Sequence, residues 1–452
     1  MNNNRKHIIA IAAASLLMAT SAMALDGTWR GKLSVGVIKI PLIFHFSESV
    51  SGNTECTIDS PSQGATAIPA TVEFCTSDSV SLECHPIDAS FRARISDGRI
   101  SGRFSQSGVS FPLNLKADEN PGAHRPQTPR PPFPYTAIDT TFAAPDGAVM
   151  SATLTLPAQY GSGKVPAVVM ISGSGAQNRD EELFEHKPFA VIADYLARNG
   201  IASLRYDDRG TGKSTGDFRT GTTYTFKDDA KSALRFMRSL PGIGRTGALG
   251  HSEGGTIAFM LGSERQTDFI VSLAGMAVSG KETLLSQNSR ALDKSGVADT
   301  DKENSLKLLS AIFDQMAAQS RKGAFVPIDV DSIAAAECLV VPPAVMASVR
   351  ASQKNRTAWL DTFLAIDPAG DLSRIKCPLL AINGDKDTQV DAKSNLAVIA
   401  RLVRKAEAVA MPSLNHLMQH ADTGEVAEYG EIHETISPDV LELIIEFIRQ
   451  LK

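Results

Sequence analysis

The chain has no excess of positive charge. It carries 45 lysines and arginines against 50 aspartates and glutamates in 452 residues, a formal net charge of −5. That balance excludes nucleic acid as the main partner, which would call for a clustered basic surface. After residue 24 no stretch holds 18 consecutive apolar residues, so nothing there is predicted to insert stably in a membrane. Cysteine is sparse. Cys56, Cys75, Cys84, Cys338 and Cys377 show no zinc-ligand spacing. Their odd number leaves at least one thiol unpaired. One disulfide among the first three is compatible with export, although a hairpin turning at Thr76–Ser79 would not set Cys75 opposite Cys84. Internal repeats are also missing. What is present is a length too great for one ordinary domain and 43% hydrophobic residues, enough for a large core.

The N-terminus, MNNNRKHIIAIAAASLLMATSAMA, has a basic start, an apolar run from Ile8 to about Met18, and small residues at Ala22 and Ala24. This is the layout of a secretory signal peptide over residues 1–24. Leu25 stands where a lipoprotein would have cysteine. The expectation is an exported protein, periplasmic or secreted. An N-terminal membrane anchor is the alternative.

Residues 25–118 read as all-β. Ile38, Ile40, Leu42, Phe44 and Phe46 alternate at period two, and Asp97-Gly98 separates two short strand patterns. A small barrel or sandwich of six to eight strands fits. Residues 119–137 are rich in proline and predict a stiff linker. From 138 to 452 short apolar runs alternate with amphipathic stretches, the pattern of a mostly parallel sheet covered by helices. Residues 278–368 break that rhythm and predict a helical cap inserted between two strands.

Two serines compete for attention. Residues 207–216, DDRGTGKSTG, resemble a phosphate-binding loop and contain a G-x-S-x-G centred on Ser214. The phosphate loop would need glycine at 207, which is Asp207, and a helix after Ser214, where TGDFRTGTT does not read as one. The second G-x-S-x-G, Gly250-His251-Ser252-Glu253-Gly254, lies between the strand pattern TGALG and the helix pattern GGTIAFML. A nucleophilic serine needs that strand–turn–helix setting, so Ser252 is the candidate nucleophile and Ser214 a loop residue.

A serine hydroxyl needs a base to take its proton and an acid to orient that base. Asp385 and Asp387 follow the strand pattern PLLAING, and His416 follows AEAVAM. Both positions are strand ends, where ligands bind in such sheets. His420 and His433 come later, in less suitable places.

With these residues in view, the second part of the chain resembles the α/β-hydrolase superfamily. It is similar to bacterial esterases and to dienelactone-hydrolase-like or prolyl-oligopeptidase-like serine hydrolases with an N-terminal β domain. The segments that carry the resemblance are GSGAQNRDE (173–181), RYDDRGTGKS (205–214), GHSEGG (250–255), INGDKD (382–387) and LNHLMQ (414–419). The resemblance implies a triad of Ser252, Asp387 and His416, with Asp385 the alternative acid. It implies an oxyanion hole from the backbone amides of Ser174 and Glu253, with Gly175 as the alternative to Ser174. Ser172-Gly173 stands where many relatives have His-Gly. DDRGTGKS becomes a structural loop beside the site. No metal or organic cofactor is implied. The expected activity is hydrolysis of a small-molecule carboxylic ester. The alternatives are a peptidase, for which Glu303 and Glu337 of the cap are available to hold a peptide terminus, and a catalytically dead binding protein. Trp359, Phe363, Leu339 and Val340 of the cap are available to line an acyl pocket.

Overall fold

The computed structural model describes residues 25–35, 38–49, 53–60, 65–106, 108–118 and 125–451. The expected signal peptide lies outside them. The chain divides into two units, residues 1–121 and 122–452.

In the first unit eight strands, each antiparallel to the last, close into a barrel: β1 Gly27–Val35, β2 Ile38–Glu48, β3 Thr54–Ser60, β4 Ala65–Cys75, β5 Ser79–Cys84, β6 Ala89–Ser96, β7 Arg99–Gln106 and β8 Val109–Ala117. The alternation in β2 sends Leu42, Phe44 and Phe46 into the interior. Phe44 meets Phe91 of β6 there, ring centroids 5.1 Å apart. Asp97 and Gly98 take φ of +48° and +68°, the left-handed pair that a two-residue turn between β6 and β7 requires. All five cysteines are free. The barrel explains why Cys56 and Cys84 do not pair: they sit on β3 and β5 with β4 between them. Two strand spacings of about 4.8 Å exceed the reach of a disulfide.

The second unit is built on an eight-stranded sheet. Its strands are β9 Thr136–Ala143, β10 Val149–Leu156, β11 Val165–Ile171, β12 Ala202–Tyr206, β13 Ile243–His251, β14 Ile270–Leu273, β15 Leu379–Gly384 and β16 Ala406–Met411. Their order is β16-β15-β14-β13-β11-β12-β10-β9. β10 runs antiparallel to both its neighbours, and the pairings from β12 to β16 are parallel. This is the α/β-hydrolase arrangement. Helices α1 Pro188–Arg198, α2 Thr223–Ser239 and α3 Glu253–Ser263 follow β11, β12 and β13. Between β14 and β15 lie α4 Gly280–Ser295, α5 Asp299–Arg321, α6 Val330–Ala336, α7 Pro343–Lys354, α8 Ala358–Ala365 and α9 Ala369–Arg374. The chain ends with α10 Ala392–Leu402 and α11 Pro438–Gln450 around β16. One sheet face packs on α2, α3 and α10. The other packs on α1 and α11. The α4–α8 segment carries an apolar core of its own, with Leu308, Ile312 and Met316 at its centre.

The proline-rich segment differs from a free connector at its second half. β9 begins at Thr136, inside the expected linker. Arg125 is buried and donates to the carbonyls of Phe184, Gly430 and Ile432. Gln127 bonds both the amide of Thr435 and the carbonyl of Ile436. Side chains between the prolines, not backbone stiffness alone, fix this stretch to the sheet domain.

Candidate active site

Ser252 stands between β13 and α3 with φ +52° and ψ −118°. A residue with a Cβ avoids that region, at a cost of about 1–3 kcal/mol. The turn is held from both sides. The Ser252 amide donates to the Leu273 carbonyl of β14, and its own carbonyl accepts from Gly255. The glycines make the turn possible. A Cβ on Gly250 would lie 2.0 Å from the Gly254 carbonyl oxygen, and one on Gly254 would lie 2.1 Å from that of Ile171. Strand β13, helix α3 and strand β11 therefore meet at backbone contact, and the serine is lifted to the sheet's edge.

Ser214 is placed otherwise. It is buried, donates its hydroxyl to the Asp207 carbonyl and accepts from the Ser151 amide. Its neighbours brace the loop after β11. Asp207 forms an ion pair with Arg179 at 2.8 Å. Asp208 accepts from the Ser172 hydroxyl and the Gln177 amide, and burial pushes its carboxyl up to about 8. Arg209 forks onto the buried carboxylate of Asp229.

Of the two acids after β15, Asp387 meets the histidine. Its Oδ2 lies 2.7 Å from His416 Nδ1. Its Oδ1 accepts from the amides of Gln389 and Val390, so the carboxylate is fully engaged and cannot rotate freely. Asp385 instead accepts from the Ser413 amide and braces the loop that carries the histidine. That loop is also held by buried Asn415, whose Oδ1 accepts from the amides of Leu417 and Gln419. His416 and Ser252 line one cleft of about 240 Å³. His420 is exposed and paired with Glu434, and His433 is exposed.

The loop after β11 carries the expected oxyanion donor Ser174 and its alternative Gly175. The Gly173 amide is committed to Glu181 Oε1 at 2.6 Å, and the Gln177 amide to Asp208. Ser174 lines the cleft beside Ser252, whereas Gly175 lines a separate small cavity behind it. The Glu253 amide opens α3, where the first amides of a helix have no partner within it.

Three further side chains, Glu253, Glu181 and His251, are buried around Ser252. The Glu253 carboxylate is buried and accepts from Thr223 of α2 and from the Trp359 indole of α8. Burial pushes it up, against hydrogen bonds from Thr223, Trp359 and Ser174. One carboxylate thus joins the Ser252 turn, the cap and the loop after β11. Glu181 and His251 form a second buried pair, with Nδ1 and Oε1 2.9 Å apart. The signal for them was available: an acid in the loop after β11 and a histidine directly before the nucleophile. In the cap, Trp359 and Phe363 line the cleft wall with their rings 5.2 Å apart. Leu339 packs into the cap's own core and Val340 is exposed. Glu303 pairs with Lys307 on the surface, Glu337 is exposed, and neither lines the cleft.

The contact at Gly254 makes a testable statement. Gly254→Ala forces a methyl group into the Ile171 carbonyl and is expected to cost about 1–3 kcal/mol of stability or more. A lowered melting temperature together with lost active-site labelling by a fluorophosphonate is the expected result. A variant with normal melting and labelling would show that the turn tolerates a side chain there.

A family model described as X-Pro dipeptidyl-peptidase (S15 family) matches residues 146–419. Esterase EstD of Thermotoga maritima is 26% identical over 267 residues, which span 59% of this chain and 57% of that protein, so the match takes in little more than half the length of its relative. Among solved structures, the Pyrococcus furiosus esterase Pf2001 aligns with a TM-score of 0.42 at 16% identity, covering 70% of this chain and 91% of that one. Est1E of Butyrivibrio proteoclasticus aligns with a TM-score of 0.41 at 14% identity, covering 69% and 99%.

Proposed function

The chain belongs to the X-Pro dipeptidyl-peptidase (S15) family of serine hydrolases, and from that premise we propose that it cleaves carboxylic esters through an acyl-enzyme on Ser252. His416 takes the Ser252 proton as Oγ attacks the ester carbonyl. Asp387 holds the imidazole by Nδ1, which leaves Nε2 to accept the serine proton in the cleft that both residues line. The amides of Ser174 and Glu253 take the negative charge of the tetrahedral intermediate. His416 then returns the proton to the leaving alcohol, and a water repeats the sequence in reverse to free the acid. This chemistry calls for no metal and no organic cofactor.

The observation that favours an ester over a dipeptide is the state of the carboxylates. Release of an N-terminal dipeptide asks the site to hold a substrate ammonium. Glu181, in the cleft wall, is already bonded to His251 and to the Gly173 amide. Glu253 is covered by Trp359. A buried ammonium without a partner would cost about 3–5 kcal/mol. The esterase among the relatives points the same way. The family's description favours the other reading, an X-Pro peptidase on the same triad.

Ser252→Ala is expected to lower ester turnover about a millionfold, and Asp387→Asn about ten-thousandfold. Ser214→Ala and Asp385→Asn should keep most activity. A reversal within either pair, measured as kcat, would move the assignment to the other residue.

Substrate class is tested by p-nitrophenyl esters of graded chain length beside X-Pro anilides. The esters are expected to have kcat/KM higher by about a hundredfold or more, as an unpaired ammonium implies, and Trp359→Ala should shift the preferred acyl length. Anilides as the better substrates would establish the peptidase.

Residues 1–24 are proposed to direct export to the periplasm or beyond. Mass spectrometry of the exported protein should find a mature end at or near Leu25. An intact Met1 in the membrane fraction would show an anchor instead.

A further inference from the structure

A second imidazole and a carboxylate lie directly behind the triad. His251 is the last residue of β13, one position before the nucleophile, and Glu181 belongs to the loop between β11 and α1. Both are buried. The ester mechanism gives neither a step.

The His251 ring has acceptors on both sides. Nδ1 is 2.9 Å from Glu181 Oε1, and Nε2 is 2.9 Å from the carbonyl oxygen of His416. A neutral imidazole has one N–H and one lone pair, so one of these contacts would set a lone pair against an oxygen. The imidazolium donates to both. The charged groups around the ring agree with this. Burial alone pushes the ring toward the neutral form. The Glu181 carboxylate, the two hydrogen bonds and the Asp387 carboxylate beyond them outweigh burial and hold its pKa above the ordinary value. The catalytic imidazole faces it with ring centroids 4.8 Å apart.

The same oxygen of Glu181 that receives His251 also receives the Gly173 amide at 2.6 Å. A continuous chain results. Gly173, at the start of the oxyanion loop, is tied to Glu181. Glu181 is tied to His251, which is rigid at the end of a central strand. His251 is tied to the backbone of His416. The seating is close, since a Cβ on Gly173 would lie 3.3 Å from Ser252 Cβ and 3.4 Å from His251 Nδ1. The oxyanion loop carries glycine at 173 and 175, and beside the Asp207 and Asp208 braces at its two ends this polar chain ties its start to the serine.

We propose that Glu181 and His251 form a carboxylate–imidazolium pair that positions the oxyanion loop and the catalytic-histidine loop against Ser252. They are positioning residues for the reaction, and the inference rests on the assignment of Ser252 and His416 as nucleophile and base. The pair is neutral as a unit, so it orders the site without leaving a free charge in the cleft. Its cost is that both charges must stay paired, because a buried charge that loses its partner is strongly destabilising. Loss of the His251 proton breaks one of the two bonds. The contribution is therefore present while His251 is protonated and is lost as pH rises through its raised pKa.

Steady-state kinetics on p-nitrophenyl butyrate tests this with Glu181→Gln, His251→Gln and the double variant, each with a melting curve. Glu181→Gln keeps the shape and an acceptor for Gly173 but removes the charge. The expected result is kcat lowered about a hundredfold, the size of effect that a displacement of about 1 Å produces, with KM within about threefold. The alkaline limb of the kcat profile should move to lower pH, because His251 loses its counter-charge. His251→Gln should show a similar loss, and the double variant no more than the worse single, as for two residues in one network. Wild-type kcat with an unmoved alkaline limb in Glu181→Gln would overturn the proposal, as would additive losses in the double variant. A fall in melting temperature with kcat preserved in the folded fraction would overturn it too, by showing a purely structural pair. Ser252→Ala in the same assay separates the two claims: activity there sinks the nucleophile assignment, whereas a dead Ser252→Ala beside an unaffected Glu181→Gln sinks only the pair.

Discussion

The backbone at Ser252 is the constraint from which the site is built. A non-glycine residue at φ +52° persists only where its surroundings over-determine it. β13 supplies that setting, with β11 on one side, β14 on the other, and α3 leaving immediately on the far side of the turn. The parallel direction of β11, β13, β15 and β16 then brings their following loops to one edge. That edge receives the Ser174 loop, Ser252, Asp387 and His416 from four separate strands. Alanine at Gly250 or Gly254 would push the strand and helix apart and carry the serine away from all three.

Charge within this edge is arranged in closed pairs. Asp207 has Arg179, Asp229 has Arg209 and Glu181 has His251, while Asp387 is held by the His416 ring and two backbone amides. Glu253 and Asp208 lack a cation, and burial raises both. Each is satisfied by neutral donors instead. The result is a cleft whose accessible lining is neutral, with Trp359, Phe363 and Met276 as its apolar wall. Such a lining suits an uncharged acyl group and supports the ester substrate proposed above. The loop that mimics a phosphate site belongs to this scaffold. Asp207 and Asp208 reach back to hold Arg179, Ser172 and Gln177, the two ends of the oxyanion loop.

Much of this was legible in the sequence where local pattern decides structure. The alternation in β2, the Asp97-Gly98 turn, and the strand–turn–helix setting of Ser252 are all short-range features. Edge strand β9 went unread because Thr136–Ala143 is mostly polar and exposed, with weak alternation, and its inner neighbour β10 went unread with it, although Asp146-Gly147 marks the turn between them. Arg125 and Gln127 read as linker residues because most of their hydrogen-bond partners lie about 300 residues further on. The Glu181–His251 pair was hidden for the same reason, at a separation of 70 residues. Only the sheet order brings the loop after β11 beside the end of β13. In the cap, composition offered four apolar candidates, but only the helical geometry of α8 turns Trp359 and Phe363 toward the cleft together.

Hydrolysis by the proposed route passes through a covalent bond between the substrate's acyl carbon and Ser252 Oγ. Rapid acid quench of turnover with a p-nitrophenyl ester, followed by peptide mass spectrometry, reads this directly. The account expects the acyl mass on the peptide that contains Ser252, appearing with a burst of p-nitrophenol and accumulating further when Asp387 is replaced and deacylation slows. Acyl mass on the peptide containing Ser214, or turnover with no acylated peptide at any quench time, would contradict it.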